Sequence, residues 1–140
     1  MNRGFTLLEL IITVSIMGIL AAVVTPTYLD KQAQAKIVMT QSNMVAIRQA
    51  FVNYFYQEIL SSRSPEFPPE PADKKLTTDW TSTTILSNGM SVSKLFSEGK
   101  FPLTAYEKPF EYTLLEATEF EEVGFQLDDP DSDLSIQFRP

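Results

Sequence analysis

Gly4-Phe5-Thr6-Leu7-Leu8-Glu9-Leu10-Ile11-Ile12-Thr13-Val14-Ser15-Ile16-Met17-Gly18-Ile19-Leu20-Ala21-Ala22-Val23-Val24-Thr25-Pro26 is the stretch on which the fold of this chain turns. Leu10 to Leu29 carries no charge and is mostly apolar. At about 1.5 Å of rise per residue, such a helix spans roughly 30 Å, the thickness of a bilayer's hydrocarbon core. Glu9 sets it apart from an ordinary anchor, because this carboxylate stands at the start of the apolar run. An ionisable group at membrane depth costs about 2.5–3.5 kcal/mol on insertion scales and marks a functional position in need of a partner. The next cation in the chain is Lys31.

These residues resemble the start of a type IV prepilin, and the same segment opens the pseudopilins of type II secretion systems. Cleavage glycine, aromatic, threonine, glutamate, Gly18 and Pro26 all fall at the family's spacing. The match is close over about residues 3–35 and architectural beyond. It implies that a membrane prepilin peptidase cuts after Gly4 and N-methylates Phe5. Glu9 would then pair with the Phe5 amine of a neighbouring subunit, and the helix would loosen around Gly18 and Pro26 on assembly. The implied partners are copies of the chain and other pilins or pseudopilins in a helical filament, the prepilin peptidase, the inner-membrane assembly platform and membrane lipid. The implied location is the bacterial inner membrane, crossed once, with the N-terminus cytoplasmic and the head periplasmic. Arg3 agrees with that orientation under the positive-inside rule.

Physical chemistry points the same way. If Phe5 becomes the first residue, its amine is a cation in an apolar phase about one helical turn from Glu9. Two opposite charges that must both lose water do so more cheaply together than apart. They can meet within one helix, four residues on, or between staggered subunits, where the pair also sets axial register. Both pairings remain open on the sequence. Four residues before Phe5 are too few for a secretory signal peptide, so the apolar stretch is expected to be kept.

The chain has 140 residues, which allows one domain of ordinary size. With no cysteine and no histidine, Ser-His-Asp, Cys-His and His-ligated zinc chemistry are ruled out. There is no Gly-rich phosphate loop, and we expect neither an enzyme nor a cofactor. Charge is divided: residues 1–63 carry a net +2 and residues 64–140 a net −9. An acidic head does not suit nucleic acid.

Four segments follow: a leader at 1–4, a transmembrane and polymerisation helix at 5–29, an amphipathic continuation at 30–62, and a head at 63–140. Ile37, Met44, Ile47, Phe51, Phe55 and Ile59 form the apolar stripe of the continuation. Ser64 to Pro71 contains four prolines and reads as a stiff surface connector. Ala72 to Asn88 gives little signal apart from Trp80, a packing anchor. Ser91 to Glu98 reads as a short helix capped by Ser91 and stopped by Gly99. Phe110–Leu114, Val123–Leu127 and Leu134–Phe138 alternate with period two, the pattern of half-buried antiparallel strands. The expected fold is α+β and pilin-like: a long N-terminal helix packed on a small antiparallel meander.

Asp128-Asp129-Pro130-Asp131-Ser132-Asp133 has the composition of a calcium loop. Leu134, however, stands where an EF-hand needs glycine, and an acidic hairpin turn without metal is the expectation. The function expected is a structural subunit of a type IV pilus or a secretion pseudopilus. The absent cysteines and Lys108-Pro109-Phe110-Glu111-Tyr112 lean toward the pseudopilin side. The alternative is a bitopic membrane protein that never polymerises and whose acidic head binds a partner protein.

Overall fold

A computed structural model describes residues 5–119 and 121–140; the expected cleavage position, Gly4, lies outside them. The chain divides into two compact units, one ending at Lys36 and the other running from Ile37 to Pro140.

The first unit is the leading part of α1 (Leu7–Leu60). Its described side chains are exposed as far as Ala35, and it contains an apolar stretch long enough to cross a membrane. The helix continues through Gly18 and Pro26 without a break. Proline lacks the N–H that would bond back to Ala22, and hydroxyls earlier in the helix bond to other backbone carbonyls. Thr25 Oγ1 donates to the Ala21 carbonyl at 2.6 Å and Ser15 Oγ to that of Ile11 at 2.7 Å. Thr13 Oγ1 reaches the carbonyls of Glu9 and Leu10. Hydroxyls turned onto their own backbone in this way can enter lipid without presenting an unsatisfied donor.

In the second unit, the outer half of α1 buries Thr40, Met44, Ile47, Phe51, Tyr54, Phe55 and Glu58. The central residues of the expected stripe are therefore inside. Its ends are not: Ile37 and Ile59 are exposed, while Thr40 and Tyr54 take inward positions. Thr40 is there because its hydroxyl accepts the Ala105 N–H at 3.0 Å, beside Asn43, whose Nδ2 donates to the Leu103 carbonyl at 2.7 Å. α1 ends in a left-handed Ser62 at φ 57°. Ser62 N–H bonds to the Ile59 carbonyl and Arg63 N–H to that of Glu58, a Schellman stop made with serine where glycine is usual.

The proline-rich segment is not a surface connector. Phe67, Pro68 and Pro71 are buried. The Phe67 ring stacks on Phe55 with centroids 4.6 Å apart, the Pro68 carbonyl accepts the Tyr112 hydroxyl at 2.7 Å, and Glu70 Oε2 accepts the Leu114 N–H at 2.7 Å. Prolines keep the segment extended, and an extended chain can lie against a strand and satisfy it. Next comes a one-and-a-half-turn helix, α2 (Thr78–Thr83), which sequence patterning missed. Its N-cap is Thr77, whose hydroxyl accepts from Trp80 N–H. The helix expected from Ser91 to Glu98 is instead two 3-10 turns, Val92–Leu95 and Ser97–Gly99. They are separated by an extended Phe96, whose ring packs edge-on against Phe51 and Phe101. Ser91 occupies the N-cap position, but its hydroxyl bonds to that of Ser93 rather than to the backbone.

The strands are β1 (Glu111–Leu115), β2 (Gly124–Asp128) and β3 (Ser135–Phe138), an antiparallel meander in the order β1-β2-β3. Tyr112 faces Leu127 and Phe125 faces Phe138 in register. Phe51 of α1 meets the sheet through edge-on contacts at 5.3 Å to Tyr112 and 5.7 Å to Phe125. Burying each such side chain contributes on the order of 1.5–3 kcal/mol. The fold is the expected α+β, pilin-like arrangement of a long helix and a small antiparallel sheet.

Candidate assembly site

At the start of α1, Thr6 and Glu9 bind each other reciprocally. The Glu9 N–H donates to Thr6 Oγ1 at 3.2 Å. Glu9 Oε2 accepts from the Thr6 N–H at 3.4 Å and from its hydroxyl at 3.3 Å. This is a capping box with Thr6 at the N-cap and Glu9 three residues on. The Glu9 carboxylate is thereby folded back over the first turn, on the side where the chain enters the helix. A carboxylate there is also favoured by the positive end of the helix dipole. Phe5 precedes the cap and is 81% exposed.

Of the residues singled out in sequence, the structure brings Phe5 and Glu9 to the same helix end, joined through Thr6. Gly18 and Pro26 sit further along the apolar part of α1, and a side chain added at Gly18 would meet nothing nearby. The role of Thr6 was readable: Thr6-Leu7-Leu8-Glu9 has the threonine–glutamate spacing of a capping box ahead of an apolar run.

A second polar centre lies at the far end of α1. Glu58 is 1% exposed and accepts from Arg63 Nη1 at 3.1 Å and from Ser87 Oγ at 3.2 Å. Ser87 in turn bonds to the Tyr54 hydroxyl at 2.7 Å. Burial raises the Tyr54 phenol above its ordinary range, partly opposed by that hydrogen bond. Every oxygen in the cluster has a partner, which suits a structural anchor rather than a reactive site.

In the acidic turn, Asp129 is buried and accepts from Ser132 Oγ at 2.6 Å and from the Asp131 N–H at 3.2 Å. Asp131 pairs with Lys108 Nζ. Among the described residues, no group of three or more carboxylate, histidine or cysteine side chains is placed to hold a metal ion.

The profile of the prokaryotic N-terminal methylation motif matches residues 1–25. Over 57 residues the chain is 42% identical to the type IV major pilin protein PilA of Myxococcus xanthus (strain DK1622), covering 41% of this chain and 26% of that protein. It is 39% identical over 67 residues to a fimbrial protein of Pseudomonas aeruginosa, covering 46% of this chain and 44% of that protein. A longer match, 30% identical over 104 residues, is to the type IV major pilin protein PilE1 of Neisseria gonorrhoeae and covers 71% of this chain and 61% of that protein. The chain thus spans between about a quarter and three-fifths of the length of these relatives. No solved structure matches it.

Proposed function

From the premise that the chain belongs to the type IV pilin family, we propose that it is a structural subunit of a type IV pilus. It is cleaved after Gly4, N-methylated on Phe5, and polymerised through α1 into a filament anchored at the inner membrane. The observation that carries this is the N-terminal motif with Glu9 held at the helix start beside Phe5. A pilus is favoured over a secretion pseudopilus because the matched relatives are pilins, and the PilE1 match runs well past the motif.

Before assembly, α1 holds the subunit in lipid with its N-terminus cytoplasmic and residues 37–140 outside. The prepilin peptidase frees the Phe5 amine, and the assembly platform presents the subunit to the filament base. There the Glu9 carboxylate exchanges its Thr6 donors for the ammonium of a neighbouring copy, which neutralises two charges in an apolar bundle and sets the axial step. Gly18 and Pro26 provide the weak point at which α1 loosens as the subunit leaves the bilayer. No catalytic residue and no cofactor is assigned.

Mass spectrometry of the surface-sheared protein tests the proposal. The expected N-terminus is Phe5 carrying one methyl group. Filament-borne chains that still begin at Met1, or a mature chain found only as membrane monomer, would overturn it.

A further inference from the structure

Beside the proline-rich segment the second unit carries an open cleft of about 390 Å³ lined mainly by apolar residues, among them Phe67, Ile85, Leu114 and Val123, together with Glu66 and Ser87. An adjoining hollow of about 290 Å³ shares Pro65 and Val123 and adds Phe55 and Glu122. Ile85 is 61% exposed and Val123 38%, so apolar surface faces solvent along this groove. Neither Glu66 nor Glu122 makes a side-chain ion pair among the described residues; Arg63 is taken by Glu58 and Arg139 by Glu121. The groove therefore combines apolar surface with the Glu66 and Glu122 carboxylates, and its complement is an apolar segment flanked by cations.

This chain contains such a segment. From Lys31 to Gln57 there is no acidic residue, while Lys31, Lys36 and Arg48 are basic. Lys36 is followed directly by Ile37, Val38 and Met39, exposed by 49%, 63% and 56%. A copy cannot fill its own groove with them. Ile37 and Phe55 lie eighteen residues apart on one helix, about 27 Å along its axis.

We propose that the groove receives residues 31–39 of a second copy, Lys31 and Lys36 approaching Glu66 and Glu122 while Ile37 and Val38 cover Ile85 and Val123. The contact rests on the filament reading above and adds to it a head-to-stem junction with an axial stagger of about 27 Å. It therefore joins a different pair of neighbours from the four-residue offset, about 6 Å, that links Glu9 to a Phe5 amine. The junction is heterologous, so it propagates rather than closing as a dimer.

The chain has no cysteine of its own, which makes engineered disulfides unambiguous. Filaments of the full-length Lys36→Cys, Glu66→Cys double variant are oxidised and run on a non-reducing gel. The expected result is a ladder of dimers, trimers and higher multiples that neither single variant gives. A second arm reverses charge. Lys31→Glu with Lys36→Glu should cut filament yield about tenfold at low salt, and adding Glu66→Lys with Glu122→Lys should restore most of it. Filaments that assemble without a ladder, or a charge swap without rescue, overturn this junction and leave the pilin reading standing. Cross-links to a protein of another mass give the groove a different occupant and overturn it too. Absence of any wild-type filament would instead bring down the pilin reading, and this contact with it.

Discussion

Glu9 and Glu58 are both carboxylates of α1, and they are held in opposite ways. Glu9 is exposed and, among the described residues, its carboxylate is tied to Thr6 alone, an arrangement that can open when a better partner arrives. Glu9→Leu is accordingly expected to insert into the membrane as well as wild type, or better, while filament docking weakens by on the order of a hundredfold or more. Glu9→Gln should resemble it, since the amide keeps the shape and not the charge. Filament yield measured beside membrane-bound monomer decides; wild-type assembly of Glu9→Leu would remove Glu9 from the mechanism. Glu58, by contrast, is closed in with Arg63 and Ser87. Arg63→Ala leaves a buried carboxylate short of its strongest donor and should cost about 1–3 kcal/mol. Adding Glu58→Gln to that variant should recover part of the loss, and denaturant unfolding of the single and double variants provides the measurement. Glu9 stood out in the sequence as a lone charge at the start of an apolar run. Glu58 gave no such signal: Ser87 lies twenty-nine residues away, and Arg63, five residues on, falls outside the i,i+3 and i,i+4 spacings that pair side chains along a helix.

Elements differ in legibility for a related reason. β1, β2 and β3 fall within a residue of the alternating segments, since period-two burial depends on the strand's own residues. The proline-rich segment was misplaced because prolines specify an extended backbone without saying what it lies against. α2, at six residues, is too short to show a helical period. The 54 residues of α1 were clear in extent, although tertiary hydrogen bonds moved its buried stripe to include Thr40. Within the sheet, one position is set by a neighbouring backbone: a Cβ at Gly124 would collide with the Phe138 carbonyl oxygen and with Arg139. Gly124→Ala should therefore force β2 and β3 apart at that end and destabilise the fold by about 1–3 kcal/mol. Thermal unfolding of the variant measures it, and an unchanged midpoint would mean that β3 shifts freely.

At the scale of the molecule, the buried apolar side chains among the described residues all belong to the unit from Ile37 to Pro140. A fragment of residues 37–140 should consequently unfold in one cooperative transition, and its midpoint should ignore chelators, because Asp129 is satisfied by its own turn. Its pH response follows from Tyr112. Burial, with a smaller contribution from Glu70, raises this phenol well above the ordinary 10.0. A raised pKa in the folded state leaves stability whole below pH 10 and removes it as pH climbs through the folded value. Stability scanned from pH 6 to 12, with tyrosinate absorbance followed alongside, should show a plateau and then a joint fall; ionisation of every tyrosine ahead of unfolding would contradict it. The meeting of Phe51 with Tyr112 and Phe125 also fixes an order of events in time. The helix residues are synthesised and delivered well before their covering strands, and pairings between distant parts of a chain are the slow steps of folding. Until β1 and β2 have emerged, Met44, Ile47 and Phe51 are bare and open to unwanted association. A chain stalled just before Phe110 would be the aggregation-prone form, and a nascent subunit passes through that state each time it is made.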